Sequence, residues 1–232
     1  MRIFKWLAAG AGIGAAAYGA YVATTWWRYG RGRPADGAAR DDLLDRFMSH
    51  YDVHERHAID VAAPADVTLS AAKDFDLESS RIVRAIFRGR ELILRSSSDG
   101  MVRPKGLLEM TKSLGWGVLA ETPNEIVMGA VTQPWEANPV FRPIDPDKFE
   151  AFAEPGFVKI AWTLRADPAE QGHSRFHTET RAVATDPEAR RKFRRYWAFL
   201  SPGILLIRAA TMRPLAHAAE HAWRQEANTV LH

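Results

Sequence analysis

The sequence predicts an α+β fold in which antiparallel strands lead into one long C-terminal helix, behind a hydrophobic N-terminal segment. Three observations carry this. Residues 158–165 and 175–182 alternate strictly, with Val158, Ile160, Trp162 and Leu164 on one face and Phe176, Thr178, Thr180 and Ala182 on one face of the next strand. The connections between strands are short, which makes neighbours antiparallel. After Asp186-Pro187-Glu188 the chain runs to its end with helical spacing, Phe193, Trp197, Leu200, Ile204 and Ile207 forming one apolar stripe.

The N-terminal segment comes first in order. Residues 6–27, WLAAGAGIGAAAYGAYVATTWW, carry no charge. As a helix they would extend about 33 Å, enough to cross a bilayer. Arg2 and Lys5 precede the run, Arg28, Arg31 and Arg33 follow it, and Trp6, Trp26, Trp27 and Tyr29 sit at its ends, where interfacial aromatics are enriched. The run reads as a single-pass membrane anchor over residues 1–30. A cleaved signal peptide is the alternative, and the run is long for one. The balance of positive charge places the following domain on the cytoplasmic side. Gly10 and Gly14, and Ala15 and Gly19, form small-residue pairs that would let two anchor helices pack as a homodimer. Residues 31–49 read as a linker into a domain covering 50–232.

Within that domain, His54–Val61 is a strand candidate, Pro64–Lys73 a helix and LESSRIVRAIFRGRELIL (77–94) a second helix. Residues 96–106 form a loop, and LLEMTKSLG adds a helical turn or two. WGVLAETP and NEIVMGAVTQ make a hairpin across a Pro-Asn turn. NPVFRPI is a weaker strand, which brings the count to six, and DPDKFEAFAEPG holds a short helix. In the last segment Asp186 suits an N-cap, Pro187 the first helical position, and Pro202-Gly203 a kink.

Composition excludes several functions. The 232 residues are 47% hydrophobic and 25% charged, with a net charge of +3, which fits a protein with a sizeable core. Cysteine is absent, so disulfides and thiolate ligands are excluded. HAAEH (217–221) has the H-x-x-E-H order of inverted zinc peptidases. A catalytic zinc site needs a third ligand, and Glu226 is the one carboxylate after His221, on the same helical end. His54 and His57 lie three apart on a strand and point to opposite faces. Neither pair predicts a metal site, and no dinucleotide or phosphate-loop motif predicts a cofactor. The basic run Arg190, Arg191, Arg194 and Arg195 suits anionic lipid headgroups beside the anchor. No recognition motif accompanies it, so nucleic acid is not an expected partner.

The segments HERHAIDVAAPADVTLSAA and TETRAVATDPEARRKFRRYWAFLSPGILLIRAA carry a resemblance. Together with the order of elements over residues 50–225, they resemble the SRPBCC superfamily, also called START-like or polyketide-cyclase-like. That resemblance implies a helix-grip fold, a curved antiparallel sheet wrapped around the C-terminal helix with a cavity between them. It implies an apolar or lipid-like ligand, and in some members cyclisation or dehydration. It implies no shared catalytic motif.

The expected cavity residues are Trp116, Trp135, Glu136, Asn138, Ile160, Trp162, Leu164, Phe176, Trp197 and Leu200. In TQPWEAN (132–138), polar groups converge beside a large aromatic, as at the mouth of an apolar pocket. A catalytic alternative needs a cavity carboxylate, for which Glu136 and Glu179 are the candidates. Alternation places Glu179 and Arg181 opposite Phe176 and Ala182, as an exposed pair.

Overall fold

The computed structural model describes residues 14, 16–27, 29, 33–34, 41–77 and 106–230. The expected helix over 77–94 beyond Leu77, the loop over 96–105 and the first half of the uncharged run lie outside these residues.

A five-stranded antiparallel sheet forms the centre, from β3 (Val53–Val61), β4 (Gly117–Glu121), β5 (Glu125–Thr132), β6 (Val158–Pro168) and β7 (Ser174–Ala184), in the order β3-β7-β6-β5-β4. A separate ladder pairs β1 (Arg33–Pro34) with β2 (His50–Tyr51). Register puts Glu55 opposite Thr180 and Trp162 opposite Thr180 across the next ladder. The alternating residues read from the sequence therefore share one face, here called the front. The expected strand at 138–144 does not form: Val131 and Arg142 make an isolated bridge, and prolines at 139 and 143 withhold further backbone donors.

The front is covered by α3 (Ala65–Asp74), α4 (Leu107–Ser113) and the long α6 (Pro187–Val230). The cap of α6 is as expected: Asp186 Oδ1 accepts from the backbone N–H of Glu188 at 2.7 Å and Ala189 at 3.0 Å. The helix continues through Pro202 and Pro214. Val61, Leu69, Ile126, Met128, Leu164, Phe176, Met212 and Leu215 pack together as the front core.

The back is covered by residues expected to be linker. Asp41 caps the short helix α2 (Asp42–Asp45), its carboxylate accepting from Leu44 N at 2.9 Å. Leu44, Phe47, Met48 and Tyr51 then bury against Leu119, Val127, Ala161 and Phe149, the last from α5 (Pro146–Phe149). Gly129 is required here, because a Cβ at that position would collide with Leu119 and Phe149. All eight residues of β5 are buried, which a strand covered on both faces demands.

Glu179 and Arg181, on the back, are paired rather than exposed. Glu179 and Arg181 are 2% and 0% exposed, not at the surface as alternation suggests. Arg181 Nε donates to Glu179 at 2.7 Å, and its Nη1 donates to Met48 O at 2.8 Å and to the Asp45 carboxylate. Burial pushes the Glu179 carboxyl up, but the His54 hydrogen bond and the Arg181 charge outweigh it and hold its pKa low. The sequence shows alternation but not what covers each face, and here both faces are covered.

The described part of the uncharged run, residues 16–27, is helical and is here called α1. It lies along α6: Tyr18 donates to Phe199 O at 2.7 Å, Tyr21 bonds Ser201 Oγ at 3.0 Å, and Arg194 donates to Trp26 O while its guanidinium sits 4.6 Å from the Trp26 ring. No helix among the described residues is long and apolar enough to cross a membrane. Gly14 and Gly19 have open space where a Cβ would stand.

Two outcomes test this packing. Leu44→Ala is expected to cost about 2–5 kcal/mol by chemical denaturation, as for a core leucine; a loss near zero would make residues 41–49 a true linker. Glu125 is buried beside the Asp41 carboxylate, and the two effects push its pKa up to about 8. A raised acid binds a proton in the folded state that the unfolded chain has released above about pH 4.5. Its stabilising contribution is therefore present below that pH and lost as pH rises through about 8. Thermal melts of Glu125→Gln against the natural chain should favour the variant increasingly from pH 5 to pH 9, and parallel curves would contradict the burial.

Candidate functional site

The front of the sheet and α6 do not close completely on one another. A cavity of about 340 Å³ remains between them. Its floor is the front row of β6 and β7: Ile160, Trp162, Leu164, Phe176, Thr178, Thr180 and Ala182. Its roof is one face of α6, from Phe193 and Trp197 through Ile204, Ile207 and Arg208 to Met212 and Leu215. Phe75 and Leu77 close one side with Met110 and Thr111 of α4. Trp116, Pro134, Pro139 and Phe141 form another side. Trp116 stacks on Phe141 at 5.1 Å and meets Trp162 edge-on at 6.2 Å, so three rings brace that wall.

Ile160 and Trp162 are only half-buried although they lie on the covered face of a central strand. The reason is the void in front of them. Large side chains on both layers hold sheet and helix apart, and Thr178, Thr180 and Ala182 are too small to fill the space between.

Of the ten residues expected in the wall, Trp116, Ile160, Trp162, Leu164, Phe176 and Trp197 are in it. Trp135, Glu136, Asn138 and Leu200 are not part of the lining. The loop at 133–136 turns back on itself, with Glu136 N donating to Gln133 O at 3.1 Å and the Gln133 amide donating to Gly156 O at 3.0 Å. That turn leaves Pro134 at the cavity and packs Trp135 beside Phe193 and under Lys192, whose Nζ is 5.8 Å from the ring. Glu136 and Asn138 are exposed. Glu179 is on the opposite face of the sheet. Neither carboxylate considered for catalysis is therefore in the cavity.

Among the described residues, the charged groups that do reach the wall are Glu55 and Arg208. Glu55 accepts from the Tyr29 hydroxyl, and Tyr29 meets Trp197 edge-on at 5.9 Å. Arg208 Nη2 donates to Thr180 Oγ1, whereas Arg208 Nη1 is buried without a partner. Burial drives its pKa down to about 10, with Glu55 and Glu179 opposing, so the guanidinium stays charged at neutral pH. Burial and the Arg208 charge also lower the pKa of His57. Sequence patterning held a sign of both wall charges. Glu55 and His57 alternate with Val53, Ile59 and Val61 on the inward side of β3, and Arg208 lies four residues after Ile204 on the apolar stripe of α6.

The other sequence candidates lie elsewhere. Arg190 pairs with the buried Asp52 carboxylate at 3.1 Å and Arg194 is engaged by Trp26, while Arg191 and Arg195 are exposed. His217 is exposed and lies 3.5 Å from Glu220, whose other oxygen accepts from Ala62 N at 3.3 Å. Among the described residues no three His, Asp or Glu side chains gather as a metal site would need.

No family model and no curated protein matches the chain. Solved structures give distant likenesses. An aromatase/cyclase, Zhui from Streptomyces sp. R1128, is 14% identical over 72% of this chain and 93% of its own, with a TM-score of 0.28. CalU16 from Micromonospora echinospora is 14% identical over 84% and 97%, also at 0.28. The di-domain ARO/CYC BexL from the BE-7585A biosynthetic pathway is 16% identical over 73% and 45%, at 0.23. Scores and identities this low establish neither family nor activity for this chain.

Proposed function

We propose that this protein binds an apolar small molecule or lipid-like ligand between the sheet and the C-terminal helix. The observation that carries the reading is the cavity itself, about 340 Å³ and walled chiefly by aliphatic and aromatic side chains from both layers. Apolar concavities of this size with few polar groups are the usual form of small-molecule sites. A core packed at ordinary protein density leaves no such space. The cyclase or dehydratase reading has one observation on its side, the Glu55 carboxylate in the wall, and that group is already held by Tyr29.

Attachment to a membrane through residues 6–27, with the domain on the cytoplasmic side, belongs to the same reading, and it requires residues 16–27 to leave their place along α6. It is supported by the uncharged run with basic residues on both sides. Arg191 and Arg195, exposed on the part of α6 that α1 lies against, are the proposed contacts for anionic headgroups.

Native mass spectrometry of the full chain, followed by organic extraction, tests the binding. A stoichiometric apolar adduct is expected, and Ile207→Trp, which puts an indole into the void, is expected to abolish it. An adduct that survives this substitution would lie outside the cavity and defeat the reading. Membrane fractions washed with alkaline carbonate should retain the chain; release into the wash would remove the tether.

A further inference from the structure

Resting on the cavity-binding reading, we propose that the ligand is an apolar acid whose carboxylate is anchored by Arg208. The Nη1 group of Arg208 is buried and has no acceptor, while Nη2 is held by Thr180. Among the described residues no carboxylate lies within ion-pair distance of this guanidinium. Glu55, the acid nearest in the wall, is bonded to Tyr29, and Glu179 is on the other face, bonded to Arg181 and His54. A charge taken out of water without a counter-ion is costly, and a carboxylate offsets that cost with matched charge and a planar fit to the guanidinium edge. A neutral carbonyl would satisfy one donor and leave the guanidinium with only the more distant charges of Glu55 and Glu179.

A second group points the same way. Trp197, about three turns earlier on the same side of α6, also lines the cavity, and its indole N–H is buried without an acceptor. The roof thus offers two unused N–H groups, Arg208 Nη1 and the Trp197 indole, to a chiefly apolar space. A guest that complements it brings acceptors: an ionised carboxylate at one end of an apolar body.

The test uses the full chain and two matched pairs of probes, dodecanoate with dodecanol and naphthoate with naphthol, titrated calorimetrically. In at least one pair the acid is expected to bind about tenfold or more tightly than its alcohol, the usual effect of a charge-assisted hydrogen bond. Arg208→Met should bring that acid to the affinity of its alcohol and leave the alcohol unchanged; Arg208→Lys should keep part of the preference. Because the substitution removes an unpaired buried charge, Arg208→Met should melt no lower than the natural chain. If it does not fold, the natural chain and Arg208→Lys decide. Acids that bind no better than alcohols, or a preference that survives Arg208→Met, overturn the anchor while the cavity reading stands. If all four probes fail to bind, both fall.

Discussion

A guanidinium without exposed surface closes the back of this molecule. Arg181 is on β7, second in the strand order, and its donors reach in three directions: to Glu179 on its own strand, to Asp45 at the end of α2 and to the Met48 carbonyl. Those bonds fasten residues 41–51 across the sheet. The covering segment in turn buries Leu44, Phe47 and Met48. Removing one partner would leave a buried charge alone, which proteins tolerate poorly, so the cluster works as a unit. With the back sealed this way, the front need not be packed to full density for the sheet to hold together.

The front shows what that permits. Strands β5, β6 and β7 pair in long, regular ladders, so the floor of the cavity is a rigid surface. The helix above it is held at its ends. The Asp186 cap and the Arg190–Asp52 ion pair fix its start, and Met212, Leu215 and Ala219 fix its later part against α3 and the sheet. Between these points lie Trp197, Ile204, Ile207 and Arg208, which face the empty space. The cavity is thus the middle of a helix fastened on both sides of it, over small β7 side chains.

Periodicity made the sheet legible. Alternation in β6 and β7 separates the two faces, and four of the wall residues, Ile160, Trp162, Leu164 and Phe176, lie on one of them. What alternation cannot supply is the cover. Residues 41–49 look like linker because they are short and bounded by charge, yet Leu44 is fully buried. Glu179 and Arg181 look exposed for the same reason, since the segment that buries them comes from far earlier in the chain. The loop at 132–138 failed differently: a turn closed by Gln133 decides where Trp135, Glu136 and Asn138 go, and its geometry depends on Gly156, a partner distant in sequence. Arg208 is hard to single out in the sequence because one arginine among many reads as surface, although it stands on the apolar stripe.

Pro202 bears on where the roof opens. Lacking an N–H, it leaves the preceding turn of α6 one hydrogen bond short, and the two tyrosines of α1 bond to Phe199 and Ser201 in that same turn. A helix turn with a missing bond separates from its neighbours at lower free energy than a strand held by ladders on both sides. This turn, with its clasp by α1, is therefore the part of the roof that opens at lower free energy than the ladders of the floor.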